Sequence, residues 1–337
     1  MNSQLGLGSS KRLESEGGCQ GFSTPFSRRG LLALSAAGVA AGIAPHCLAT
    51  AGEPLKQGGE SPFSFCLNTG TIMGQNLPLE REMEIAAKAG YRGVEPWIRK
   101  IEEYVKQGGA LDDMKKRIAD LGLSVEGAIG FADWLNDDPA RRAKGLETMK
   151  RDMDFVARIG GKRIAAPPVG ATDAPMDLAK VAQRYRELLE LGRSMGVVPQ
   201  LELWGRSKTI GRLGEAAYVI TEAAHPDACV LLDIFHIYRG GSDFAGLRMF
   251  NGAAMHVLHV NDYPAQPPRE KITDADRVFP GDGVAPTTQI LRDLHASGFR
   301  GMLSLELFNR KLWEQDPLLV ARIGLQKIKA AVDRAFG

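Results

Sequence analysis

The chain has 337 residues, of which 44% are hydrophobic and 24% are charged, and its formal net charge is +2. This is the composition of an ordinary globular protein, and the length suits either one large α/β barrel or two medium domains. The near-balanced charge argues against a nucleic-acid groove and against an anionic membrane surface as partner, so we expect no nucleic-acid partner.

The N-terminal segment carries the pattern of an export signal. Arg28 and Arg29 form a twin-arginine pair, an apolar stretch follows over residues 31–44, and an A-x-A sequence ends at Ala51. We therefore expect a twin-arginine signal that directs the protein to the periplasm or another extracytoplasmic compartment. The apolar stretch is shorter than the roughly 20 residues of a membrane span, so we expect no stable span in the mature chain. The alternative is a Gly/Ala-rich tail with a chance arginine pair.

Short apolar runs alternate with helix-patterned segments from residue 63 onward. Eight runs are predicted to be β-strands, at residues 63–67, 93–96, 124–128, 163–166, 199–203, 229–234, 256–261 and 302–307. Apolar residues at helical spacing, in most cases followed by a closing glycine, predict helices at residues 79–89, 111–121, 146–159, 178–195, 287–297 and 317–336.

Strands that alternate with helices pair in parallel through right-handed crossovers. Eight such units predict a single (β/α)8 TIM barrel over residues 63–337, preceded by the signal at residues 1–51 and a short linker at residues 52–62. A doubly wound open sheet is the alternative, but the Gly-rich phosphate fingerprint that often follows its first strand is missing. Residues 263–284, after the seventh strand, are predicted to form a lid or a substrate loop.

The two cysteines that follow the predicted signal, Cys66 and Cys229, fall on distant predicted strands. We expect them to be buried core thiols rather than a disulfide.

Four ionisable residues lie near the ends of the last four predicted strands: Glu202, Asp233, His259 and Glu306. Each is embedded in an apolar run, where a buried charge is costly unless another group pairs with it. The carboxyl ends of barrel strands meet at one rim, where active sites lie. Three carboxylates and one imidazole at this rim predict a site for one divalent metal, with Mn²⁺, Mg²⁺, Co²⁺ and Zn²⁺ as candidates.

The chain resembles the xylose-isomerase-like barrel superfamily, and within it the sugar (phosphate) isomerase/epimerase group that includes hydroxypyruvate isomerases and ketose 3-epimerases. The most specific matching pieces are LELWG, LLDIFH, HVND followed by R-x-x-PGDG, and LSLELF. The resemblance implies that the four residues are ligands of one metal, with Mn²⁺ favoured. It also implies that His236 and Arg277 contact substrate, with Arg269 as the competitor for the arginine role.

The resemblance further implies an activity. It is that of a metal-dependent isomerase or epimerase of a small sugar or keto-polyol, working by α-proton abstraction and an enediolate. Glu202 and Glu306 are then the acid/base pair as well as metal ligands. The expected partner is a small carbohydrate, and whether the chain forms a homo-oligomer stays open.

Several further residues have two interpretations each. Glu95 ends the second strand and either meets substrate or bonds to backbone or water. Trp97, Trp134 and Trp204 follow strands two, three and five, and form either an apolar wall against a sugar ring or part of the core. Asn261 should share the face of His259, and either orients that histidine or caps a loop.

Three other functions compete with the isomerase. A metal-assisted lyase or hydrolase of keto-sugars or glycosides would abstract the same α proton and lose a leaving group from the β carbon. The expected export favours it, because glycosides are more available outside the cytoplasm than sugar phosphates. Lys208 stands where several ketose 3-epimerases carry a substrate-contacting glutamate, which argues against their usual specificity. An apurinic endonuclease shares the fold but needs histidines on strands two and three, where this sequence has none. A non-catalytic binding protein is the last alternative.

Overall fold

The computed structural model of the protein describes residues 61–337. The predicted export signal and nearly all of the predicted linker lie outside the described residues, so both stay predictions. No helix within residues 61–337 is both long enough and apolar enough to cross a membrane.

The centre of the molecule is a sheet of eight parallel strands. In chain order these are β1 (Ser64–Asn68), β2 (Gly93–Glu95), β3 (Ser124–Val125), β4 (Arg163–Ala166), β5 (Val198–Glu202), β6 (Val230–Asp233), β7 (Val257–Val260) and β8 (Met302–Leu305). Their order in the sheet is β3-β2-β1-β8-β7-β6-β5-β4. Beyond the end of β3, the backbone N–H of Ala165 in β4 donates to the carbonyl of Ala128 at 2.9 Å. This bond joins the two edges, so the sheet closes into the predicted (β/α)8 barrel.

Within the described residues, ten α-helices connect and surround the strands. They are α1 (Leu79–Ala89), α2 (Ile98–Lys106), α3 (Leu111–Asp120), α4 (Pro139–Arg158), α5 (Leu178–Met195), α6 (Leu213–Glu222), α7 (Ile234–Gly240), α8 (Thr287–Ala296), α9 (Arg310–Trp313) and α10 (Pro317–Phe336). Short 3₁₀ helices lie at Thr69–Gln75, Phe244–Met249, Gly252–Ala254 and Asp274–Asp276.

The helix predictions are confirmed where a helix has a clear apolar face and a closing glycine. The bounds of α1, α5 and α10 are those predicted. Helix α4 starts earlier than predicted, because Asp138 caps it by accepting from the Arg141 N–H and Pro139 opens its first turn. The sequence pattern does not predict α2, α6, α7 or α9, each of which has ten residues or fewer.

Alternate residues of each strand point into the barrel, and this alternation prepares the site. Two residues before the carboxyl ends of the inward faces, β6 and β7 carry Leu231 and Val257, which pack with Ala165 in a small apolar cluster. Two residues further along, the same faces present Asp233 and His259. The barrel interior therefore changes from apolar to ionisable towards the carboxyl ends of its strands.

Cys66 and Cys229 are both buried and form no disulfide. This confirms that they are core thiols. Burial raises the pKa of both thiols, which keeps them protonated and unreactive.

Candidate active site

Three of the four predicted ligands converge at the carboxyl end of the barrel. One donor atom from each of Asp233, His259 and Glu306 lies within 4.8 Å of the other two. His259 Nδ1 is 3.2 Å from Glu306 Oε2 and 3.8 Å from Asp233 Oδ2. The strand register explains this, because Asp233 pairs with His259 across β6 and β7, and His259 pairs with Ser304 across β7 and β8. Glu306 follows Ser304 by two residues and so shares its face.

Glu202, the fourth predicted ligand, lies at the end of β5 and lines the same cavity as Glu306. It is outside the tight group of three donors. Its Oε2 atom is buried and has no hydrogen-bond partner among the described residues. Burial raises the pKa of Glu202 to about 8, against the opposing charge of His259, and the negative charge of Glu306 adds to the rise.

Arg277 brings a buried positive charge into this group. Its Nη1 donates to Asp233 Oδ2 and to Glu306 Oε2, each at 2.8 Å, and its Nη2 donates to Asp274 Oδ1 at 2.6 Å. The guanidinium is fully buried and lies over the Phe235 ring at 4.7 Å. Burial works against ionisation, but His259 and Arg277 still hold the pKa of Glu306 well below its usual range.

The segment predicted as a lid or substrate loop folds over the strand ends and delivers this arginine. Asp262 and Val278 exchange two backbone hydrogen bonds, at 3.0 and 2.9 Å, immediately after Arg277 in the chain. Arg269, the competing arginine, instead lies over the Tyr238 ring at 4.9 Å and does not line the cavity.

Glu95, predicted either to meet substrate or to bond to backbone or water, contacts the side chains of His259 and Ser304. It is fully buried, and its Oε2 lies 3.1 Å from His259 Nε2 and accepts from the Ser304 hydroxyl at 2.6 Å. It does not line the cavity. A carboxylate on the far nitrogen of a histidine fixes the orientation of the ring and leaves Nδ1 to face the other donors.

Two asparagines hold the carboxylates in place. Asn68, at the end of β1, donates to Glu306 Oε1 at 2.9 Å and accepts from the Trp97 indole at 2.9 Å. Asn261 donates to Asp233 Oδ2 at 3.0 Å, so it orients the aspartate rather than the predicted histidine. The sequence reading missed Asn68, although it ends an apolar strand as the other site residues do.

The donor set fits a divalent cation. Two buried atoms of the predicted ligands, His259 Nδ1 and Glu202 Oε2, have no hydrogen-bond partner among residues 61–337. An unpartnered buried polar atom is costly, and carboxylate oxygens with one imidazole nitrogen suit Mn²⁺, Zn²⁺ and related ions.

A cavity of about 230 Å³ opens above the cluster. Glu202, His236, Arg277 and Glu306 line it on the polar side. Burial lowers the pKa of His236, and the charge of Arg277 lowers it further.

An aromatic wall forms the other side of the cavity, made by Trp97, Phe131, Trp204 and Phe308. Neighbouring ring centroids in this wall lie 5.2 to 6.0 Å apart. Trp134 is absent from it, since it is fully buried and donates to the Pro167 carbonyl in the core. The sequence reading missed Phe131 and Phe308, whose apolar character does not distinguish them from core residues.

Comparisons with known proteins agree with this architecture. The inosose isomerase of Halalkalibacterium halodurans is 25% identical over 258 residues, covering 75% of this chain and 90% of that protein. The 3-dehydroshikimate dehydratase of Pseudomonas aeruginosa is 28% identical over 235 residues, covering 68% of this chain but only 36% of that longer protein. A crystal structure of IolI protein with a bound zinc atom has a TM-score of 0.76 at 22% identity, covering 82% of this chain and all of that one.

At that level of identity the zinc-containing structure establishes the fold alone. Residues 83–331 match the family described as Xylose isomerase-like TIM barrel. The match includes β5 to β8 and therefore all four converging strands of the site. The chain belongs to the xylose isomerase-like TIM barrel family.

Proposed function

We propose that the protein is a divalent-metal-dependent isomerase or epimerase of a small sugar or keto-polyol. The observation that carries this proposal is that two glutamates, Glu202 and Glu306, line one cavity beside a cluster of metal-type donors. The sugar and polyol relatives of the chain support the class of substrate, since the inosose isomerase is similar over most of both chains.

Glu202, Asp233, His259 and Glu306 are the residues that would hold the cation, with Mn²⁺ as our first choice. When bound, it would supply positive charge for the negative charge that develops on substrate oxygens.

The two cavity glutamates are the proposed proton carriers. One carboxylate removes the proton α to the substrate carbonyl, and the other returns a proton to a different carbon or to the opposite face. Asn68 supports this role for Glu306, because its bond to Oε1 fixes the carboxylate orientation. The free Oε2 of Glu202 is the matching group at β5.

His236 and Arg277 are the proposed contacts for substrate oxygens. His236 Nδ1 and Arg277 Nε are both buried and without a partner among the described residues, and both side chains line the cavity. Trp204 and Trp97 give the apolar faces against which the C–H side of a sugar ring packs. Such a wall also keeps water away from the reacting carbons.

A lyase is the second candidate, favoured by the similarity to the dehydratase at 28% identity. It begins with the same α-proton abstraction. The electron pair then expels a leaving group from the β carbon, and the second carboxylate gives that group its proton.

Proton exchange with solvent tests the proposal. Mn²⁺-supplied protein is incubated in D₂O with ketoses, inososes and keto-glycosides, and deuterium at a substrate α carbon is measured by mass spectrometry. We expect exchange in the wild type, its loss in Glu306→Gln, and its retention in Glu222→Gln, an exposed control on α6. An epimer or positional isomer as product indicates the isomerase, whereas an unsaturated ketone indicates the lyase. Full exchange in Glu306→Gln, or in metal-stripped protein, contradicts the proposal.

A further inference from the structure

A second groove opens directly beside the reaction cavity. It has a volume of about 210 Å³ and shares Trp97, Ile129 and Phe131 with that cavity. Phe131 lines both spaces and is 47% exposed. The two cavities are therefore neighbours that share an aromatic wall.

The groove runs between the start of α2 and the middle of α4. Arg99 and Glu102 face it from one turn of α2, and Thr148 and Asp152 face it from one turn of α4. Arg151 completes the polar surface and joins the two helices, with Nη1 3.5 Å from Glu102 Oε1.

Asp152 is the buried polar group at the floor of this groove. It is only 2% exposed, and its Oδ1 accepts both hydrogen bonds from Arg151, at 3.0 and 2.7 Å. Its Oδ2 forms no hydrogen bond within residues 61–337 and lies 3.5 Å from where a Cβ on Gly130 would stand. The lack of a side chain at position 130 thus leaves this oxygen uncovered towards the groove.

The groove has the chemistry of a site for a neutral polyhydroxylated ring. Two cations, Arg99 and Arg151, are balanced by two anions, Glu102 and Asp152, so the groove has no excess charge for a phosphate. Carboxylates and guanidinium groups offer paired acceptors and donors to hydroxyls, and the Trp97 and Phe131 rings offer apolar faces.

The volume of the reaction cavity also favours a separate site for a second ring. Its volume of about 230 Å³ lies below the range of roughly 300–1,000 Å³ typical of sites for larger ligands. It accommodates one small ring, and the adjoining groove provides a similar volume for another.

We propose that this groove is a second subsite, which binds a further sugar ring attached to the reacting unit, so that the preferred substrate is a two-ring glycoside. This inference rests on the proposed function, since it assumes that the reacting unit occupies the first cavity. Phe131 is then the residue that packs between the two rings.

Filling the groove tests the proposal separately from catalysis. Thr148→Trp places an indole in the groove and removes only a hydrogen bond to Lys144 within the same helix. The matched control is Glu147→Trp, which adds the same indole to an exposed position of α4 that does not line the groove. Asp152→Asn, which keeps the shape of the side chain, removes the carboxylate at the groove floor.

Binding to Mn²⁺-supplied protein is measured by calorimetry. The probes are D-fructose, D-fructose 6-phosphate, and the two-ring ketoses turanose, maltulose, palatinose and lactulose. We expect at least one two-ring ketose to bind ten-fold or more tightly than D-fructose. Thr148→Trp and Asp152→Asn should lose that advantage while D-fructose binding is kept, and Glu147→Trp should retain both.

Three outcomes overturn the subsite. In the first, one-ring and two-ring ketoses bind with equal affinity, or no ketose binds. In the second, the two-ring ketose keeps its tighter binding in Thr148→Trp. In the third, D-fructose 6-phosphate binds more tightly than every other probe. Proton exchange in D₂O is measured on the same samples. If no ketose exchanges its α proton, the proposed function fails, while the binding comparison still decides the groove.

Discussion

The guanidinium of Arg277 and the carboxylate of Glu306 are in direct contact, with Nη1 2.8 Å from Oε2. The same Oε2 lies 3.2 Å from His259 Nδ1, so arginine and imidazole approach one oxygen. In the absence of a metal, Arg277 and His259 together supply the positive charge beside Glu306, and Arg277 also contacts Asp233.

Replacing Arg277 by methionine should destabilise the metal-free protein. The change removes the arginine that contacts both Asp233 and Glu306, and breaking a buried ion pair costs about 3–5 kcal/mol. Urea unfolding in the presence of a chelator measures this. Saturating Mn²⁺ should then stabilise Arg277→Met more than it stabilises the wild type. The control is Arg269→Met, which removes the exposed arginine over Tyr238 and should have little effect. Equal destabilisation in both variants would show that Arg277 is not a counter-charge.

Glu95→Gln should weaken metal binding without removing a ligand. Glu95 holds His259 Nε2 at 3.1 Å, and loss of such a supporting carboxylate typically lowers metal affinity by about 10–100-fold. Calorimetric titration with Mn²⁺ measures the dissociation constant, and circular dichroism checks that the fold is intact. Glu222→Gln is the surface control. An unchanged dissociation constant in Glu95→Gln would mean that His259 needs no orienting partner.

Replacement of Trp204 and of Trp134 by alanine should have different effects, because the first lines the cavity and the second lies in the core. Trp204→Ala removes part of the cavity wall, so kcat/KM should fall roughly ten-fold, and the loss of stability should be smaller than in Trp134→Ala because Trp204 borders an open cavity. Trp134→Ala should instead lower the free energy of unfolding by about 3–5 kcal/mol, because it empties a fully buried site. Steady-state kinetics and thermal unfolding of both variants test this contrast. Loss of stability in Trp204→Ala with unchanged kinetics would assign that residue to the core.

Glu82, on α1, should make the protein less stable as pH rises. It is 1% exposed, its Oε2 has no partner among residues 61–337, and burial raises its pKa from 4.5 to about 8 despite the charge of Lys100. Below pH 4.5 both folded and unfolded chains carry the proton and Glu82 has no effect. Between pH 4.5 and 8 only the unfolded chain releases it, so stability is lost progressively, by up to about 5 kcal/mol.

Glu82→Gln removes this pH dependence. The variant should exceed the wild type in stability by an amount that grows from pH 4.5 to 8 and is constant above that. Urea unfolding at several pH values measures the difference, with Glu222→Gln as the reference. A difference that shrinks as pH rises would have the wrong sign for a buried protonated carboxyl.

The N-terminal arginine pair predicts export, and we propose a periplasmic or extracytoplasmic location. Residues 1–51 fused to a reporter that fluoresces only when exported in the folded state should deliver it across the membrane. Replacing Arg28 and Arg29 together by lysine should abolish delivery. Export of the double variant at the wild-type level would contradict a twin-arginine route.

The barrel itself was predictable from the sequence. Each strand of a parallel barrel is buried on both faces, so it appears as a continuous apolar run, and glycines after α1 and α5 close helices with clear apolar faces. The short helices α2, α6 and α7 were not predictable from the sequence, because their formation depends on packing against the barrel rather than on their own hydrophobic pattern.

The sequence by itself determined which residues carry charge into the barrel and at which strand ends, because ionisable residues in apolar runs are rare and strand alternation fixes their faces. Only the tertiary structure decided how these residues are used. Contacts between strands far apart in sequence turned Glu95 towards His259, brought Asn68 to Glu306, and separated Trp134 in the core from Trp204 in the wall. Such contacts depend on barrel closure and register, which no local pattern records.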